Sequence, residues 1–307
     1  MGTNTNKLSS MNVDFLRSER LLVPLAFFCI YFIWGSTYLA TDWALEAFPP
    51  FIMIAVRFII SGLILLAISY RAAATTSSLQ LKNAMLLGIL ILGIGSGGSM
   101  LSVQYLDSGI ASLIVGCEPL VLVFFLWFFL KKRPSFQTLF GVGLGMLGMY
   151  ILVRQDSIST STEAYKGILA IAIAILGWSA GSVYVKKADL PESKIYNTAI
   201  QMLTSGVLLL FTSFLVQEDL STIPERFTWM AFGSFLYLMF FGSIVAYTAF
   251  NYLLIKEDPS KVATATYINP IIALFLGWYY NNEIISLQAL IAAAVLILGV
   301  FFIIRSK

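Results

Sequence analysis

Histidine is absent from all 307 residues, and with it the commonest general base and metal ligand. Cysteine occurs only twice, at Cys29 and Cys117. Both lie inside apolar runs, which argues against a structural disulfide or a cysteine metal site. Charge is scarce as well: only 11% of residues are Asp, Glu, Lys or Arg. A soluble chain of this length needs far more polar surface to cover itself. The polar–apolar alternation of barrel strands is missing. Nor is there a nucleotide motif, because GIGSGG at 93–98 lies within an apolar run and follows no strand. Small residues there permit close backbone approach instead. No metal and no cofactor is expected.

What remains is 59% hydrophobic, with recurring apolar runs of about 20 residues, the length that spans a bilayer core. The fold class is therefore all-α, a polytopic membrane protein. Ten transmembrane helices are expected, roughly at 22–43, 50–70, 83–104, 109–129, 135–153, 167–185, 195–216, 229–253, 262–281 and 287–304. Arg17 and Arg20 precede the first, whose apolar core runs too far for a cleaved signal, so it reads as a retained helix. Residues 1–20 read as a disordered cytoplasmic N-terminus, polar and rich in Asn, Ser and Thr over 1–16.

Basic residues sort by loop, fifteen to one side and three (Arg154, Lys166 and Arg226) to the other, with Arg57 inside a span. That asymmetry fits both termini in the cytoplasm, and the net charge of +3 reflects topology and not a nucleic-acid surface. The chain also repeats itself. GSTY at 35–38 recurs as GSVY at 181–184, and SGLILL at 61–66 as SGVLLL at 205–210. Gly95-Ser96 matches Gly242-Ser243, Pro119 and Trp127 match Pro270 and Trp278, and SFQTL at 135–139 matches SLQAL at 286–290. Five ordered matches, one per span, define two five-helix repeats, 21–153 and 167–307, joined by an external linker at 154–166. Five is odd, so the second repeat is expected to be inverted, the architecture of alternating-access carriers.

With IWGSTY in the first span, Arg57-Phe58 in the second, Glu118-Pro119 in the fourth and Asn269-Pro270 in the ninth, the chain from about Leu21 resembles the EamA family of the drug/metabolite transporter superfamily. The resemblance implies a ten-helix carrier that moves amino acids, other small metabolites or drugs outward. It does not name a substrate.

Two charges stand inside spans. Counted from the outer ends at ~1.5 Å per residue, Arg57 lies ~10 Å deep and Glu118 ~14 Å deep in a ~30 Å core. A lone carboxylate there costs roughly 2.5–3.5 kcal/mol, so an Arg57–Glu118 bridge is the expected arrangement. It either locks the second and fourth spans or lines the cavity, with Glu118 as coupling residue and Arg57 meeting a substrate carboxylate. In the second repeat these positions are Gln201 and Asn269. Pro119 and Pro270 read as matched hinges or kinks. Trp34, Ser36, Tyr38, Trp178, Ser182, Tyr184, Gln104, Gln201, Asn251, Tyr267 and Asn269 are assigned to the cavity, against a packing role for each. Gly141, Gly145 and Gly148 share a face that reads as a packing seam within the first repeat, or as a homodimer seam.

The reading is an exporter of a small organic metabolite in the cytoplasmic membrane, either proton-coupled through Glu118 or passive, and either a monomer or a homodimer. Its partners are a small-molecule substrate and the bilayer, with no nucleic acid. The alternatives are a membrane-embedded enzyme, which lacks a histidine or a deep aspartate pair to work with, and a receptor.

Overall fold

The computed structural model describes residues 19–102, 104–106, 111, 114–153, 164–281 and 285–306. Nine helices among them are long and apolar enough to cross a membrane: α1 (Leu21–Leu45), α2 (Pro50–Thr75), α3 (Ser78–Ser102), α5 (Phe136–Val153), α6 (Ala164–Tyr184), α7 (Lys194–Leu215), α8 (Trp229–Lys256), α9 (Pro259–Tyr280) and α10 (Leu287–Arg305). The fourth expected span is a shorter apolar helix, α4 (Glu118–Leu130). The external linker 154–166 falls largely outside the described residues.

Local chemistry sets where the helices begin. Pro50 opens α2, where its missing N–H costs nothing. Ser77 and Gln80 form a reciprocal cap on α3, and Ser193 and Thr228 cap α7 and α8. The repeated SxQxL motif is such a start signal. Ser135 Oγ accepts from Thr138 N at 3.1 Å and Ser286 Oγ accepts from Ala289 N at 3.1 Å.

Helix packing follows an exchange rule. α2 packs on α7 and α5 on α10; α3 meets α6 as α8 meets α1; α4 meets α6 as α9 meets α1; α3 meets α7 as α8 meets α2. Advancing each helix by five, with the second set returning to the first, maps the first two pairs onto themselves and exchanges the partners in each of the others. Glycine permits the closest approaches. A Cβ on Gly141 would lie 2.7 Å from Gly299 O, and one on Gly299 would lie 2.7 Å from Gly141 O. Gly145 meets the ring of Tyr267 on α9, and Gly148 meets Leu296 on α10. The glycine seam expected within the first repeat therefore joins α5 to the second half. Its small face is filled from α9 and α10, elements remote in sequence.

Three stretches wind more widely, as π-helix: Cys29–Ile33 in α1, Gly88–Ser96 in α3 and Leu238–Tyr247 in α8. The repeated Ser-Gly pairs explain how the last two are held. Ser61 Oγ donates to Met239 O at 3.1 Å, and Ser205 Oγ lies 2.8 Å from Gly88 O. Gly62 and Gly206 meanwhile bring α2 and α7 together against Leu203 and Ile59. Such wide turns are concentrated at functional sites.

Gly141→Ala is expected to lower thermal stability by about 1–3 kcal/mol through overpacking against the α10 backbone. Gly143→Ala, with nothing within 4 Å of the new methyl, should be neutral or mildly stabilising, since alanine favours helix over glycine. Thermal unfolding of the two purified variants separates the outcomes.

Candidate functional site

The wide turns of α3 and α8 face the two indoles singled out from the sequence. Trp34 Nε1 donates to Gly242 O at 3.2 Å. A Cβ on Gly95, the residue that matches Gly242, would lie 2.5 Å from Trp178 Nε1. Each half therefore seats its tryptophan on the glycine of the other half's Gly-Ser pair. The indoles meet edge to face at 5.9 Å, and Phe250 closes the cluster at 5.1 Å from Trp34 and 5.3 Å from Trp178. Neither Phe250 nor the two glycines had a signal in sequence that marked this role.

Glu118 is the first residue of α4, with Cys117 as its N-cap. A carboxylate in that position is favoured by the exposed N–H groups of the first helical turn. Its Oε2 accepts from Thr266 Oγ1 of α9 at 3.2 Å. Tyr38 is 47% exposed, and Glu118 and Thr266 are each partly exposed. Thr266 was not predicted, because only the tertiary fold brings it to Glu118.

Several expectations require correction. Among the described residues, no Arg57–Glu118 ion pair forms. Arg57 instead has its guanidinium 5.0 Å from the centre of the Phe58 ring, and its buried Nε has no hydrogen-bond partner. Pro119 makes no mid-helix kink. The chain turns at Gly116 and Cys117, so Pro119 falls in the first helical turn, where its missing N–H breaks nothing. Pro270 does lie inside its helix.

The proposed cavity set also divides. Tyr267 is fully buried, its hydroxyl directed at Gly116 O (3.3 Å) and Val142 O (3.4 Å). Gln201 and Asn251 belong to a sealed network: Tyr247 OH donates to Gln201 Oε1 at 2.5 Å, while Asn251 Nδ2 donates to Gln201 Oε1 at 3.2 Å and to Thr198 Oγ1 at 3.1 Å. Ser182 and Asn269 are buried, the latter with Oδ1 unpartnered. Ser36 bonds Tyr237 OH at 2.6 Å. Gln104 lies beyond the end of α3, exposed. Tyr184 ties α6 to α3 near one membrane end, its hydroxyl donating to Asn83 Oδ1 at 2.8 Å. Of the proposed residues, the fold brings Trp34 against Trp178, and it sets Glu118 against Thr266.

Comparison with known proteins decides what this arrangement belongs to. The profile of the EamA-like transporter family matches residues 21–154 and again 165–305. The chain belongs to that family. It is 33% identical to the uncharacterized inner membrane transporter YedA of Escherichia coli K12 over 94% of this chain and 93% of that one. It is also 24% identical to the uncharacterized transporter YoaV of Bacillus subtilis, over 91% and 95% of the two chains. A crystal structure 20% identical in sequence superposes with a TM-score of 0.75, covering 91% of this chain and 96% of that one, a likeness of fold. This EamA-like chain is thus a multi-pass membrane transporter.

In this transporter the loops at one end are fastened together. Lys132, after α4, pairs with Asp258, which also caps the first turn of α9 through Ser260 N. Lys187 Nζ donates to Phe129 O at 2.8 Å, and Lys186 Nζ donates to Glu257 O at 2.6 Å. Burial holds Lys186 below the ordinary lysine value. Burial works the other way on Asp258, but Lys132 and the Ser260 N–H prevail and hold its carboxyl below the usual carboxylate range. A depressed carboxyl stabilises the fold above its unfolded pKa and loses that contribution as pH falls through the folded one. The stability difference between wild type and Asp258→Asn should therefore be constant from about pH 5 to 8, begin to shrink near the unfolded aspartate value of about 3.9, and disappear only as pH falls through the lower folded value. With Lys132 half-exposed, it should amount to about 1 kcal/mol or less. At the sealed network, Gln201→Leu leaves the Tyr247 hydroxyl without its acceptor and should cost about 1–3 kcal/mol in thermal unfolding.

Proposed function

We propose that this transporter exports a small organic metabolite, an amino acid or an amphipathic compound, across the cytoplasmic membrane by alternating access. Both termini lie in the cytoplasm, and the two five-helix halves run inverted with the substrate between them near the midplane. The observation that carries the reading is Glu118. This carboxylate, at the start of an apolar helix, keeps accessible surface and has Thr266 as its one hydrogen-bond partner among the described residues. Intramembrane ionisable groups of this kind mark substrate and proton pathways.

Other features support the reading. The exchange-related packing and the reciprocal seating of Trp34 and Trp178 are what two interchangeable halves require. Matched aromatic ends, Trp127 to Phe129 on α4 and Trp278 to Tyr280 on α9, are exposed. In an inverted arrangement they belong to opposite interfacial belts. Glu118 serves as the coupling group, exchanging a proton as the carrier turns, while Arg57, acting apart from it, offers the Nε that has no hydrogen-bond partner to a substrate carboxylate.

Purified protein in liposomes tests this. Counterflow of amino acids or amphipathic cations is the expected result; product formation without transport would support an enzyme instead. Glu118→Gln should abolish proton-driven transport and leave counterflow intact. A variant whose transport keeps the wild-type pH dependence would remove Glu118 from the coupling step.

A further inference from the structure

We propose that the basic end of α4 binds the headgroup of an anionic phospholipid in the cytoplasmic leaflet, with Lys131 and Arg133 holding its phosphate. The leaflet follows from the orientation proposed above; the site itself is built from observed contacts. Phe124 and Phe128 stack along α4 at 6.2 Å and 16°, both more than half exposed on this shorter apolar helix. They form an aromatic column facing the acyl chains. Lys131 ends the helix in the left-handed conformation, φ 54°, and its Nζ stands 5.4 Å from the centre of the Phe128 ring. An ammonium is therefore held at the head of a lipid-facing column, where acyl chains give way to headgroups.

The neighbouring cations are committed elsewhere. Lys132 is paired with Asp258, and Lys186 and Lys187 cap backbone carbonyls. Arg133 is exposed and makes no hydrogen bond or ion pair among the described residues. A lysine fixed over a ring and a free guanidinium two residues on offer a phosphate charge and several N–H donors together.

The chain also carries its own control. The aromatic end of α4 recurs on α9 as Trp278, Tyr279 and Tyr280, similarly exposed. After α4 the sequence continues Lys131-Lys132-Arg133; after α9 it continues Asn281-Asn282-Glu283. An aromatic belt alone needs neither set of polar residues, and topology alone is met by cations in any cytoplasmic loop. Cations placed directly on the aromatic end, at one face of the membrane and not the other, complement the anionic lipid of that leaflet.

The test is thermal unfolding in non-ionic detergent with added phosphatidylglycerol or phosphatidylcholine, paired with a native mass-spectrometric titration of bound lipid. Phosphatidylglycerol should raise the wild-type midpoint by about 3 °C and phosphatidylcholine should not. Lys131→Gln/Arg133→Gln should lose that shift and bind about thirtyfold more weakly. Arg71→Gln/Lys82→Gln, which removes the same charge elsewhere on that face, should keep it. Should the first pair fold poorly, Arg133→Gln alone carries the test, at about fivefold. The proposal fails if the shift survives in the Lys131/Arg133 variant, is lost equally in the control pair, or appears with phosphatidylcholine. It fails too if soluble glycerol phosphate reproduces the shift. Neither transport nor sidedness enters this assay, so its failure and the failure of counterflow are separate findings.

Discussion

Hydrocarbon offers no hydrogen bond, so each polar side chain in a membrane helix must find its partner inside the chain. That requirement organises this transporter. Ser61 of α2 and Ser205 of α7 reach carbonyls at the start of the wide turns of α8 and α3, respectively. The Trp34 indole N–H finds the carbonyl of Gly242. Such reach requires helices that nearly touch, and glycine supplies the proximity at Gly62, Gly95, Gly141, Gly206 and Gly299.

The same constraint makes the exceptions informative. Among the described residues, Arg57 Nε and Asn269 Oδ1 are buried without a partner, and Glu118 has a single bond from Thr266. A polar group left short of partners in this setting is costly, and it persists where water or a ligand completes it. Gln201, at the position matching Arg57, is half satisfied: its carbonyl is shared between Tyr247 and Asn251, while its Nε2 is buried without a partner. The two matching positions thus differ, one carrying a charge and the other a neutral amide.

Much of this was legible residue by residue. The apolar run lengths announced helices, and Ser135 and Ser286 announced helix starts because an N-cap acts within three residues. Glu118 stood out since a charge in an apolar run has no other reading. Its setting did not. The depth count took the fourth span as a continuous helix, whereas the chain turns at Gly116 and Cys117 and the helix begins at Glu118 itself. That places the carboxylate at a helix N-terminus, which answers part of its cost without an arginine. The bridge to Arg57 was inferred from similar depth alone, and depth says nothing about which side of a helix faces which neighbour. Tyr267 was misread for the same reason: its hydroxyl suggested a cavity, but Gly145 of α5 leaves a hollow that its ring fills.

The sequence by itself determined the class of molecule, the near-positions of its membrane helices, their start signals and the repeat, because these depend on composition and on contacts a few residues apart. Tertiary structure alone decided that the α5 glycines meet α10, that Thr266 reaches Glu118, and that Arg57 stands apart from it. Those contacts join residues more than a hundred positions apart or turn on the rotation of one helix against another. A shift of one residue turns a helix by about 100° and sends a side chain from cavity to lipid, and no local pattern fixes that angle to the neighbour's.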